Sequence, residues 1–279
     1  MTKSEPVIMI NIEEQKKTAA EWFKNLRNQF CDSLSAIDGS IFERKKWKHK
    51  DSGGGEMSIM KGKVFEKVGV NISTVSGQFS EEYRHKIKGT EKSPNYWASG
   101  ISLVAHMNSP KIPAFHFNTR FLVTSDSWFG GGADMTPTIV NLKDTKHFHA
   151  KMKEACAAHN EKYYPEFKKK CDEYFYLPHR KEARGEGGIF FDYHNTGHWE
   201  KDFSFVKDVG VRTLEAITEI VKTHKDKKWS DNEKEAQLIK RGRYVEFNLI
   251  WDRGTLFGLK TGGATEAIMM SMPPTAKWV

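Results

Sequence analysis

A chain of 279 residues, 38% hydrophobic and 29% charged, has a globular composition, and no apolar run in it approaches the roughly 18 residues of a membrane span. Lysine and arginine exceed aspartate and glutamate by 44 − 36 = 8, an excess that suits nucleic acid or an anionic small molecule. Cys31, Cys156 and Cys171 are widely spaced and form no CxxC pair, the usage of reduced core thiols. With neither a secretory layout nor transit-peptide character at the start, a cytoplasmic address is expected.

Residues 13–34 predict an amphipathic helix, since Trp22, Phe23, Leu26, Phe30 and Leu34 recur at three to four residues. Asp51 to Gly55 reads as a flexible polar connection, after a lysine-rich run at 45–48 taken as solvated surface. Strands are then expected over 57–62, 67–77 and 98–107, the last placing Ser102, Val104 and His106 on one face. The next strand begins at Ala114. Its alternation sets Phe115, Phe117, Thr119, Phe121 and Val123 against His116, Asn118, Arg120 and Leu122. An imidazole, an amide and a guanidinium in a row either face solvent or line a pocket for a polar ligand.

A glycine-broken strand follows over 128–136, where triple glycine marks a bulge or a close approach to the backbone. Asp144 reads as the cap of a helix reaching Ala158, and Pro165 opens another that ends near Tyr174. A loop rich in cations and glycine leads to a strand over 189–193, then a helix over 203–224. Ser230 with Glu233 forms a capping box for a further helix. Strands over 244–250 and 255–259, a glycine turn and a short Met-rich helix complete the chain. This order argues for α+β: a single domain spanning 1–279, with a large antiparallel β-sheet flanked on both faces by α-helices.

Phe129 to Gly132 matches neither GxGxxG nor a Walker A loop, and no segment fits an RNA-recognition strand, so nucleic acid is not expected. The 11 histidines include His106, His116, His149 and His179, but their spacing matches no HExxH-type signature, and satisfied structural histidines are the simpler account. Arg120, Arg180, Arg184 and Arg253 lie beside aromatic or glycine-rich residues and outside the lysine runs. Four planar forks so placed suit a polyanionic ligand, although each alone could serve a salt bridge. Flavin, Rossmann and haem-attachment motifs are missing, so no organic cofactor is expected. His116, Asp134 and Asp252 are the acid–base candidates.

The segments FHFNTRF, WFGGGADMTP, YFYLPHRKEARGEGGIFFD, GRYVEFNLIWDRGTLFGLKTGG and TEAIMMSMPP resemble the oxygen-dependent coproporphyrinogen III oxidase family, and the likeness spans nearly the whole chain. The resemblance implies a homodimer, with residues 244–279 as its dimer-forming segment, and oxidative decarboxylation of two propionates of coproporphyrinogen III to vinyls. Molecular oxygen is then the co-substrate, and carbon dioxide, hydrogen peroxide and protoporphyrinogen IX are the products. It implies His116 as proton donor and Asp134 facing the pyrrole nitrogens. Ser102, Asn118, Thr119 and Arg120 become substrate contacts, with the backbone of Gly262, Gly263 and Ala264, while Arg180, Arg184, Asp252 and Arg253 fill the polar pocket. Ala264 departs from the arginine that many members carry there. His106, His116, His149 and His179 occupy the positions of a divalent metal in bacterial members, whereas other members are metal-free. A non-catalytic tetrapyrrole-binding protein is the alternative reading of the same pocket.

Overall fold

Asn11 opens the first helix by accepting a hydrogen bond from the Glu14 amide, and Gly39, at φ +84°, ends it. This helix, α1, spans Ile12–Asp38 in a computed structural model that describes residues 11–84, 86–260 and 263–278. The strands β1 (Glu43–Lys48), β2 (Ser52–Met60) and β3 (Phe65–Gln78) follow, then the single turn α2 (Glu81–Arg84). After it come β4 (Asn95–Met107), β5 (Ala114–Val123) and β6 (Ser127–Thr136). Helices α3 (Leu142–Ala157) and α4 (Tyr163–Tyr174) lead through the small ribbon β7 (Tyr176–Leu177) and β8 (Glu182–Ala183) to β9 (Gly187–His194). The chain then turns helical: α5 (Trp199–His224), α6 (Asp231–Ile250), α7 (Arg253–Lys260), α8 (Thr265–Ile268) and a 3₁₀ turn, η1 (Met269–Ser271).

The seven-stranded sheet runs β1-β2-β3-β4-β5-β6-β9, with every neighbouring pair antiparallel. One face carries the main core. Phe23, Leu26 and Phe30 of α1, Phe148 of α3 and Phe205 and Val209 of α5 pack there against Leu103, Phe117, Phe121 and Phe129 of the sheet. The opposite face is covered more thinly, by Tyr244 and Phe247 of α6 and Met270 of η1. This is the α+β architecture expected, with helices on both faces. Among the described residues no helix is long and apolar enough to cross a membrane.

Several local expectations give way. Gly53 to Gly55 belong to β2, paired with the lysine-rich β1, whose outward residues are exposed as an edge strand requires. Asn141 caps α3; Asp144 lies inside its first turn and meets His224 at 2.9 Å. Residues 244–250 and 255–259 are helical. The buried stripe of α6 explains that miss: Gln237, Arg241, Gly242, Tyr244, Phe247 and Asn248 are inside, but three of the six are polar, so hydrophobic periodicity does not reveal them. The capping box at Ser230 and Glu233 is present.

Candidate active site

Along β5 the burial alternates as the sequence predicts, with Phe115, Phe117, Thr119 and Phe121 in the core and His116, Asn118 and Arg120 half-exposed on the other face. Strand register carries that second face across the sheet. His116 stands between Val104 of β4 and Asp134 of β6, Asn118 between Ser102 and Gly132, and Arg120 between Gly100 and Gly130. Asn71 of β3 adjoins Ser102, and Phe190 of β9 adjoins Gly132. With strands about 4.8 Å apart, the row Asn71–Ser102–Asn118 spans about 10 Å, wide enough for a flat ring system.

Above this floor, α7 crosses from one side to the other. At its start Asp252 caps it, accepting from the Thr255 amide at 2.8 Å, and also accepts from the Tyr174 hydroxyl at 2.8 Å. Arg253 lies over the rings of Tyr174 and Phe190, at 5.0 and 5.8 Å, and those rings stack 4.6 Å apart. Further along, Phe257 meets Phe79 at 5.9 Å, which stacks on Tyr96 of β4. The chain returns over β3 and β4, where Asn71 Nδ2 donates to the Ala267 carbonyl at 3.1 Å and His106 Nε2 lies 2.9 Å from that of Ser271.

A buried charge relay underlies the half-exposed His116. Its Nδ1 is 2.7 Å from Asp134 Oδ1, and Arg184 donates to Asp134 Oδ2. Burial by itself raises the Asp134 pKa, but Arg184 and His116 together outweigh it and hold the carboxyl below its usual range. An ionised carboxylate only accepts, so the proton on this edge belongs to His116 Nδ1. Nε2 is then free to accept from Asn118 Nδ2 at 2.9 Å. Arg184 is itself enclosed by Phe175, Tyr244 and Phe247. Asp252 likewise stays below the ordinary carboxylate range: burial opposes this, and hydrogen bonds from Thr255 and Tyr174 prevail.

Not all residues expected at the site reach it. Ser102 is half-buried on the polar face. Thr119 is 1% exposed and its side chain points into the opposite core, because its neighbours in a strand take the other face. Arg180 forms a two-pronged pair with Glu246 of α6, Nε to Oε2 at 2.8 Å, away from the polar row. Asp134 is 2% exposed, with Oδ1 held by His116 and Oδ2 by Arg184. Gly263 donates its amide to the Gly258 carbonyl, and Ala264 caps α8; Gly262 lies outside the described residues.

Nor do the four histidines converge. His106 engages Ser271, His116 engages Asp134, His149 engages the Glu186 carbonyl and Tyr164, and His179 engages Glu246 and Trp251. Among the described residues no three His, Cys, Asp or Glu side chains are grouped to hold a metal ion. Within this chain the set therefore does not fit one ion.

Four residues of the site carry no signal that singled them out in the sequence. Asn71 is buried with its Oδ1 unpartnered, and the alternation of its strand could have placed it opposite Val70 and Ile72. Phe190 and Tyr174 form their aromatic plate only because β9 and α4 pack together. Asp192 pairs with Arg120, Oδ1 to Nη2 at 2.8 Å, an arrangement with no local signal.

The sequence profile described as coproporphyrinogen III oxidase matches residues 18–279. Curated relatives named oxygen-dependent coproporphyrinogen-III oxidase include those of Rickettsia bellii (strain RML369-C) and Rickettsia akari (strain Hartford). Each is 54% identical over 275 residues, covering 95% of this chain and 99% of the relative. That of Rickettsia conorii (strain ATCC VR-613 / Malish 7) is 53% identical with the same coverage.

Proposed function

The chain belongs to the coproporphyrinogen III oxidase family, and from that premise we propose that it converts coproporphyrinogen III to protoporphyrinogen IX with molecular oxygen, as an oxidoreductase of haem biosynthesis. The family match over nearly the full chain carries this reading, and it favours turnover over a non-catalytic tetrapyrrole carrier. For each propionate the change is R–CH2–CH2–COO⁻ + O2 + H⁺ → R–CH=CH2 + CO2 + H2O2. The carboxylate leaves as carbon dioxide, a hydrogen leaves the carbon next to the ring with its electron pair, and oxygen is reduced to peroxide. One proton is consumed per vinyl group formed.

His116 suits that proton delivery. It is half-exposed on the polar face, and Asp134, held ionised by Arg184, orients its ring and would stabilise the imidazolium. Asp134 thus acts through His116. Arg120 and Arg253 flank the open part of the face and carry the planar forks that propionate carboxylates require. A porphyrinogen presents pyrrole N–H donors, for which the Ser102 hydroxyl and the Asn118 amide oxygen on the half-exposed face are suitable acceptors. Most of the rate enhancement then comes from holding one propionate beside His116 and oxygen.

A homodimer through residues 244–279 and a cytoplasmic location belong to the same proposal. Leu249, Ile250 and Trp251 at the end of α6 are exposed at 44%, 49% and 41%, an apolar group suited to a second copy. Light scattering on the purified protein tests the dimer. The activity itself is tested by supplying coproporphyrinogen III in air and following oxygen uptake and vinyl product. Substrate binding without oxygen consumption would leave the carrier reading in its place.

A further inference from the structure

β6 and β9 fall out of step at one point. Phe129 pairs with His194 and Gly131 with Phe191, so Asp192 and Tyr193 together stand opposite Gly130. Two residues against one is a β-bulge, a device that re-aims side chains and is common beside active sites. Tyr193 sits at φ +53°, a left-handed conformation uncommon for a bulky residue, which costs about 1 kcal/mol or more. Its amide donates to Asp192 Oδ1 at 3.1 Å, and its ring packs 4.8 Å from that of Trp128.

The bulge has a specific effect. It carries the Asp192 carboxylate across β6 to Arg120 on β5, with Nη2 to Oδ1 at 2.8 Å. The bridge passes over Gly130, where a Cβ would lie 2.8 Å from Asp192 Oδ1 and 2.9 Å from the Arg120 guanidinium carbon. The first glycine of the triplet therefore clears space for an ion pair. A strained backbone, a glycine and a register shift on separate strands all serve this one contact.

Resting on the reading of Arg120 as a propionate-binding group, we propose that Asp192 is a built-in counter-ion that tunes it. Asp192 holds the guanidinium over Gly130 before substrate arrives and opposes the incoming carboxylate by like-charge repulsion. The propionate is consequently held less tightly than a bare arginine would hold it, and product, which keeps two carboxylates, leaves faster. Asp192 is a positioning residue acting through Arg120. Because Arg120 is 38% and Asp192 21% exposed, water screens the effect to a few-fold.

Anaerobic titration of the full-length protein with coproporphyrinogen III measures binding without turnover. Asp192→Asn keeps the shape and the Oδ1 acceptor while removing the charge, and should tighten Kd about three- to fivefold and steepen its salt dependence. Gly130→Ala pushes the bridge apart from the other side and should shift Kd in the same direction, with no further gain in the double variant. General structural damage would weaken binding. Unchanged or weaker binding in folded D192N and G130A overturns the proposal. Arg120→Ala separates the two readings: if it leaves Kd unaltered, the underlying clamp reading fails, whereas weaker binding in R120A without tightening in D192N removes only the counter-ion.

Discussion

Arg184 and Asp134, 50 positions apart in sequence, form an ion pair whose side chains are 2% and 3% exposed. The guanidinium lies 3.9, 4.6 and 4.8 Å from the ring centres of Phe175, Tyr244 and Phe247, so neither charge can turn to water. Removing one partner strands the other. Arg184→Met should lower the free energy of unfolding by about 3–5 kcal/mol in urea titrations. The double variant R184M/D134L should recover much of that loss, since apolar replacement of a buried pair is often neutral. Activity should stay lost in both, because His116 loses its oriented acceptor. A double variant no more stable than R184M would show that the loss comes from packing.

His116 is the group assigned to proton delivery, and its Nε2 contacts Asn118. His116→Gln should reduce kcat by about 100-fold or more at saturating substrate. Asn118→Leu should reduce it less, by about tenfold, because only the contact to the nitrogen that exchanges the proton is lost. Wild-type kcat in H116Q would remove the histidine from the mechanism.

Glu246 gathers Arg180, His179 and Trp278 around one carboxylate. The hydrogen bond from Arg180, then those from His179 and Trp278, lower its pKa from 4.5 to about 2 against the opposing effect of burial. A depressed carboxyl pKa gives stability that is complete above pH 4.5 and is lost as pH falls towards 2. Glu246→Gln should flatten the acid limb of a plot of Tm against pH. Arg180→Ala should lower Tm while keeping kcat/KM within about twofold, the surface of an enzyme being tolerant away from its site. A large loss of kcat/KM in R180A would return that arginine to the substrate pocket.

Lys67 pairs with His106 across β3 and β4, and burial, with a smaller effect of Lys61, pushes its ammonium pKa down from 10.5 to about 8. The unfolded chain binds this proton more readily between those two values, so the residue makes stability rise with pH over that window. Lys67→Met should raise Tm at pH 7, by about 2 °C or more if at least 1 kcal/mol is recovered, and the gain should shrink towards pH 10.5. A gain independent of pH would point to packing.

Much of the site was legible because strand alternation is a local property. A period of two puts His116, Asn118 and Arg120 on one face whatever the strand pairs with, and the same rule puts Thr119 on the other. The motifs from FHFNTRF to TEAIMMSMPP carried the family, since long runs of matching residues do not depend on knowing the fold. Capping chemistry was likewise readable at Ser230 and Glu233, where both partners lie within one turn.

Tertiary structure alone decided which charge meets which. Arg120 meets Asp192 through a bulge, Arg184 meets Asp134 beneath α6, and Arg180 meets Glu246 at the surface. None of these partners is among the acidic residues nearest in sequence. Ion pairing depends on a few ångströms of separation in a low-dielectric setting, and strand register and helix packing set those distances. The dispersal of His106, His149 and His179 to separate partners follows from the same cause. The helical state of residues 244–250 was hidden for a related reason: the buried stripe of α6 mixes Tyr244 and Phe247 with the polar Gln237, Arg241 and Asn248, and only the packed sheet beneath α6 shows why the polar ones are inside.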